Sequence, residues 1–216
     1  EIRLSLVGSE MCIRDRKNRM YYDQVNFDEI YDKFEKGSGA NLTLNCIKDY
    51  EAELQNRNII DFPMLESKFL NKLKNHKLDI FLDSIKIILI DEYQDTNLIQ
   101  EDIYFTIAQS ALKNNGSITV VGDDDQSLYR FRGATVDLFT NFKKRAHDKL
   151  GIDVKEINLR TNYRSSDNII SHCNHFVELD KEYQKARVDE KPKIIAPDFD
   201  KDKIPVLGMF RNNPEM

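Results

Sequence analysis

Tryptophan is absent from this chain, and cysteine, proline and glycine are scarce: 3, 5 and 8 residues among 216. The three cysteines, Cys12, Cys46 and Cys173, are far apart and odd in number. They form neither a disulfide framework nor a CxxC metal pattern, so a reducing, cytoplasmic compartment is the expectation. No apolar run approaches the roughly 20 residues needed to span a bilayer. Positive charge is not in excess, and the net charge of −5 argues against a generic basic coat for nucleic acid. A local positive groove stays possible, because only the contact surface must be basic. Internal repeats and low-complexity segments are also missing. What the chain does have is 40% hydrophobic and 32% charged residues with a mean hydropathy of −0.58. That composition suits a soluble protein with substantial cores, as one large domain or two small ones.

Residues 1–16 differ in composition from the rest, with three arginines and no lysine against 9 arginines and 20 lysines over 17–216. The string Ser5 to Arg16 resembles translated sequencing-adapter read-through, and 1–16 is set aside as foreign. Residues 17–80 read mostly as helix. Val25, Ile30 and Phe34 recur at near-helical spacing before a break at Gly37-Ser38-Gly39, and a second helix is expected over about 42–56. Asp61 can cap a third, with Pro63 in its first turn and Leu65, Phe69, Leu70 and Leu73 as its stripe.

The run 85–90, Ile-Lys-Ile-Ile-Leu-Ile, then predicts a strand buried on both faces of a parallel sheet. A helix over about 97–113 ends at Asn114-Asn115-Gly116 and leads to a second apolar strand, 117–121. This is a βαβ unit, which requires a parallel pair. A further amphipathic helix is expected over about 135–150, a third strand near 154–159, and a helix capped by Ser165 or Ser166. Val206 to Phe210 suggests another strand.

Chemistry concentrates at the strand ends. Asp91-Glu92-Tyr93-Gln94-Asp95-Thr96 follows the first strand, where open α/β sheets bind ligands. Two adjacent carboxylates are expensive to hold there unless a cation or a reacting water uses them. They read as a Walker B site, with Asp91 on Mg2+ and Glu92 facing the water that attacks a γ-phosphate. An exposed acidic loop is the alternative. The second strand ends in Gly122-Asp123-Asp124-Asp125-Gln126-Ser127, which delivers Gln126 to the same sheet edge as a phosphate sensor. Tyr129, Arg130, Phe131 and Arg132 alternate aromatic and basic side chains, as a loop that stacks on single-stranded bases would. Core packing is the competing reading of the two aromatics. His172, Cys173 and His175 point different ways around a helix and are assigned no metal.

Together these segments resemble a known family. Asp91 through Asn97 is similar to motif II of the UvrD/Rep/PcrA-type superfamily 1 DNA helicases, Gly122 through Ala134 to motif III, and Asn162-Tyr163-Arg164-Ser165 to motif IV. Ile60-Asp61-Phe62 with Leu65 also resembles the segment before motif II, with Pro63-Met64 in place of the usual acids. The resemblance covers roughly 58–180. It implies a P-loop NTPase (RecA-like) α/β fold with a parallel sheet and a helical N-terminal insertion, in fragmentary form. The insertion would be 17–80, the core of the first motor domain 81–153, and the start of the second 154–216.

The implied activity is ATP-dependent 3′–5′ translocation on single-stranded DNA with duplex unwinding. Asp91 would ligate Mg2+ and Glu92 would be the general base. Gln126 would link the γ-phosphate to the DNA loop. Tyr129, Phe131 and Arg132 would touch DNA, with Phe131 standing where many relatives carry tryptophan. Tyr163 would lie against adenine, and Arg164 would act as an arginine finger. No Gly-Lys-Ser/Thr phosphate loop is present, since Gly37-Ser38-Gly39 lacks the lysine, so these motifs read as an internal piece that is inactive alone. Two rivals stay open: the helicase component of a helicase–nuclease, and a non-hydrolysing single-strand DNA-binding module.

Overall fold

The computed structural model describes residues 13–127, 136–179, 181, 184, 187–188 and 191–197. The chain divides into two compact units between Asp153 and Val154. In the first, helix α1 (13–22) precedes α2 (Phe27–Tyr31), α3 (Gly39–Asn56), α4 (Phe62–Lys74) and α5 (Asp79–Ser84). Strand β1 (Ile87–Ile90), α6 (Leu98–Lys113), β2 (Ser117–Val120), α7 (Val136–Thr140) and α8 (Phe142–Leu150) follow.

Helix starts are set by short polar side chains that accept from the otherwise unpaired first-turn amides. Ser38 accepts from the N–H of Asn41, Asp61 from Met64 and Asn97 from Gln100, whose own side chain completes a capping box. Asp61 also holds α1: Lys17, fully buried, reaches it at 2.5 Å. Tyr21 and Tyr50 present their rings to the same ammonium at 4.8 and 5.6 Å. Helix α1 runs back to residue 13, inside the segment set aside on composition, and Arg16 donates to Thr43 at 3.4 Å.

The core packs α4, α5 and α6 together through Leu70, Leu73, Leu82, Ile99 and Ile103. An apolar groove of about 320 Å³ lies among α1, α2 and α3, lined by Met20, Val25, Ile30, Phe34, Leu44 and Ile47.

Strands β1 and β2 pair in parallel from Ile87↔Ser117 to Ile90↔Val120, with α6 as the crossover. Gly116 permits the entry to β2, since a Cβ there would fall 2.0 Å from the Lys86 carbonyl oxygen. Among the described residues the sheet has these two strands alone. The expectation that the first strand is buried on both faces is therefore corrected: Leu89 is 74% exposed and Ile87 is also open, because no described element covers that face. The helix expected over 135–150 is two helices meeting at Asn141. The Thr140 hydroxyl bonds back to the Val136 carbonyl at 3.3 Å, and asparagine is a poor interior helix residue.

In the second unit, the strand expected near 154–159 does not form. Ile157 and Leu159 alternate with polar residues, yet no described neighbour offers a ladder, and Leu159 is 85% exposed. Among the described residues, pairing here is confined to the parallel bridge Thr161↔Ile195. Helix α9 (Asp167–Leu179) begins after Ser166, whose carbonyl accepts from the Ile170 N–H at 3.1 Å. The strand suggested at Val206 to Phe210 lies outside the described residues.

Candidate functional site

The ladder continues past both strands, and this sets the site. The N–H of Val121 donates to the Ile90 carbonyl at 2.8 Å, and that of Tyr93 to the Val121 carbonyl at 2.9 Å. Between them the chain turns sharply at Glu92, whose backbone is left-handed (φ 52°, ψ 41°). A non-glycine residue held this way costs about 1–3 kcal/mol, and such strain collects at functional sites. The turn folds the Glu92 N–H back onto the Asp91 carboxylate at 2.9 Å and leaves both side chains exposed.

The following residue pins the turn from beneath. Tyr93 is fully buried, edge-on to Phe142 at 5.1 Å, with its hydroxyl donating to Glu101 at 3.2 Å. Glu101 is itself fully buried and paired with Arg145 through both carboxylate oxygens, with Lys149 at 3.3 Å. Burial and the neighbouring Glu101 carboxylate push the Tyr93 hydroxyl far above its ordinary value. Hydrogen bonding to Glu101 holds the Arg145 guanidinium above its own, against the opposing effect of burial. Helix α8 is thereby bolted to α6 directly under the acidic turn.

Gln94 joins the two strand ends. Its side chain is almost wholly buried. The amide nitrogen donates to the Glu92 carboxylate at 2.6 Å, and the amide oxygen accepts from the Asp123 N–H at 3.0 Å. The Ser127 hydroxyl meets the Gln94 carbonyl at 3.4 Å. Asp123 in turn accepts from the Gln126 amide at 2.7 Å and from the Asp125 N–H at 3.1 Å. A side chain at Gly122 would put its Cβ 2.6 Å from the Gln94 amide oxygen and 2.8 Å from the Phe139 ring. Glycine there makes room for the bridge.

Of the residues singled out from sequence, Asp91, Glu92 and Gln126 thus lie on two adjoining strand-end turns. Tyr129, Phe131 and Arg132 lie outside the described residues. Tyr163 and Arg164 belong to the second unit, where the Asn162 side chain accepts from the N–H groups of Arg164 and Ser165 at 2.8 and 2.9 Å. Tyr163 is 76% exposed and Arg164 is open. Sequence reasoning missed Gln94 as a bridge. The one available signal was a neutral amide set between three acids, which suits a residue that must donate and accept at once.

Two separate groups of carboxylates are compatible with a hard cation. Asp91 presents an exposed carboxylate, and oxygens of Asp123, Asp124 and Asp125 lie within 4.8 Å of one another. Carboxylate oxygens without sulfur or imidazole suit magnesium.

Residues 9–147 match the family described as UvrD/REP helicase N-terminal domain. The chain is similar to ATP-dependent DNA helicase Rep of Buchnera aphidicola, 37% identical over 130 residues, which is 59% of this chain and 18% of that protein. It is similar to ATP-dependent DNA helicase SRS2 of Saccharomyces cerevisiae, 34% identical over 161 residues, 74% of this chain and 13% of the other. With an ATP-dependent helicase/nuclease subunit of Ligilactobacillus salivarius it shares 31% identity over 201 residues, 87% of this chain and 16% of that one. The matched region thus covers at most 18% of any of these three relatives.

Proposed function

The chain belongs to the UvrD/REP helicase N-terminal domain family, and from that premise we propose that it is part of an ATP-dependent DNA helicase. The parallel pair β1–β2 with its α6 crossover would be a section of a RecA-like P-loop NTPase sheet. The protein would move 3′ to 5′ on single-stranded DNA and open duplexes, driven by ATP hydrolysis. One observation carries the reading: two acids and an amide, Asp91, Glu92 and Gln126, stand on adjoining strand-end turns joined by a buried side chain.

In this reading Asp91 holds Mg2+, which when bound would neutralise charge on the phosphates. Glu92 orients the attacking water and accepts its proton, and the Gln94 amide fixes its carboxylate for that task. Gln126 meets the γ-phosphate. Tyr163 takes the adenine ring and Arg164 the developing phosphoryl charge. Tyr129, Phe131 and Arg132 contact the DNA strand.

Steady-state ATP hydrolysis by the full-length protein carrying this chain is the test. Glu92→Gln should abolish DNA-stimulated hydrolysis while ATP still binds, and hydrolysis at the parental rate would remove Glu92 as the base. A helicase–nuclease component is the second reading, favoured by the 87% of this chain that aligns with the Ligilactobacillus salivarius helicase/nuclease. Nuclease activity in the full-length protein would decide for it.

A further inference from the structure

Among the described residues, Gln94 is the side chain that ties the Glu92 carboxylate to the second turn, and no packing need accounts for an amide there. A buried amide of this size would be replaceable by methionine if it only filled space. Instead each of its polar atoms is committed to a different turn, the nitrogen to the Glu92 carboxylate at 2.6 Å and the oxygen to the Asp123 N–H at 3.0 Å. Asp123 then carries the Gln126 side chain at 2.7 Å. The chain Gln126–Asp123–Gln94–Glu92 is therefore continuous, and every link in it is a hydrogen bond. Its middle is shielded from water, where such bonds are strongest and a broken one is most costly.

We propose that Gln94 is a positioning residue that couples the two turns, so that movement of the Asp123–Gln126 turn re-aims the Glu92 carboxylate. This rests on the reading of Glu92 as the base in ATP hydrolysis. Gln94 need not meet the nucleotide or the DNA. A shift of the second turn pulls on the amide oxygen, and the rigid amide plane passes the displacement to the nitrogen and hence to Glu92. The left-handed backbone of Glu92 leaves its carboxylate exposed, so this bond is its tie to the protein interior. Gly122 belongs to the same device, because a Cβ at that position would occupy the space of the amide oxygen.

Two near-isosteric variants separate coupling from packing. Gln94→Met keeps the shape and removes both bonds. Gln94→Glu keeps the acceptor facing Asp123 and replaces the donor to Glu92 with a like charge. Both are measured in the full-length protein for ATP hydrolysis with and without a single-stranded oligodeoxynucleotide, for affinity for that oligonucleotide, and for cooperative thermal unfolding. Each variant should lose about tenfold or more in DNA-stimulated kcat, as small misplacements of a catalytic group do. The KM for ATP and the oligonucleotide affinity should stay within about twofold, because neither contact is direct. Stimulated kcat at the parental value in either variant would overturn the proposal, as would a matching loss in KM and oligonucleotide affinity. Glu92→Gln in the same assay keeps the two levels apart. If it is inactive and the Gln94 variants are unimpaired, only the coupling fails. If it hydrolyses ATP normally, the base reading fails and the coupling with it.

Discussion

The turns after β1 and β2 and the turn at Asn162–Ser165 differ in how deeply their side chains are locked. The first pair is locked by buried side chains: Gln94 to Asp123 across 29 residues, Tyr93 to Glu101, and Glu101 to Arg145 forty-four residues on. The second is an Asx turn, closed by the Asn162 side chain on the amides two and three residues on, as Asp123 closes on Asp125. The Asn162 N–H donates to the Ile195 carbonyl at 2.9 Å. Tyr93, Gln94 and Glu101 are buried, whereas Tyr163 and Arg164 are open to solvent. A group that must keep one orientation is locked into a core, and its position depends on the whole first unit.

That contrast breaks hardest at Glu101. Replacing it with alanine leaves Arg145 without its carboxylate and removes the acceptor for Tyr93, while Lys149 keeps Asp102 at 2.9 Å. Because Arg145 is partly exposed, the loss should sit near the lower end for a broken buried pair, about 3 kcal/mol, to be read from urea unfolding of the first unit. Gly122→Ala comes next. Overpacking against Gln94 and Phe139 should cost about 1–3 kcal/mol in the same measurement. Asn162→Ala should cost only about 1 kcal/mol, since the two freed amides can turn to water. Its effect should be confined to amide exchange at Arg164 and Ser165, with the first unit's unfolding unchanged.

The smallest effect is a pH dependence. Burial holds the Glu66 carboxyl above its ordinary value, against the bonds from Gln100 and Asn97 that favour its charged form. The folded state therefore keeps this proton more tightly than the unfolded state. Stability from this group is complete below its unfolded value and declines as pH rises through the folded one. Glu66→Gln should flatten that slope and raise the unfolding temperature slightly at neutral pH.

How much of this was legible in the sequence follows the same division. Local signals were readable: Asp61 and Pro63 at the start of α4, the Asn114-Asn115-Gly116 stop, and the helix-crossed parallel pair. The cap and the stop depend on residues within a few positions of one another, and the pair on three successive segments that are each readable alone. The bridge through Gln94 and the burial of Lys17 and Glu101 were not readable, because a charged or amide residue on a helix or turn normally faces water. Their partners lie 29, 44 and 44 residues away, beyond any periodicity. The unformed strand at 154–159 shows the converse. Val154, Ile157 and Leu159 suit a strand, but a strand also requires a neighbour.

The joining of the two strand ends through one buried amide is most directly tested by hydrogen exchange at a single site. In Gln94→Met the Asp123 amide, deprived of its acceptor, should exchange about tenfold faster or more, as a lost bond of about 1.4 kcal/mol requires. The Val121 amide, bonded to the Ile90 carbonyl at 2.8 Å, should keep its protection. Unchanged exchange at Asp123 would mean that Gln94 does not hold the second turn, and equal acceleration at Val121 would mean that the whole sheet end had loosened instead.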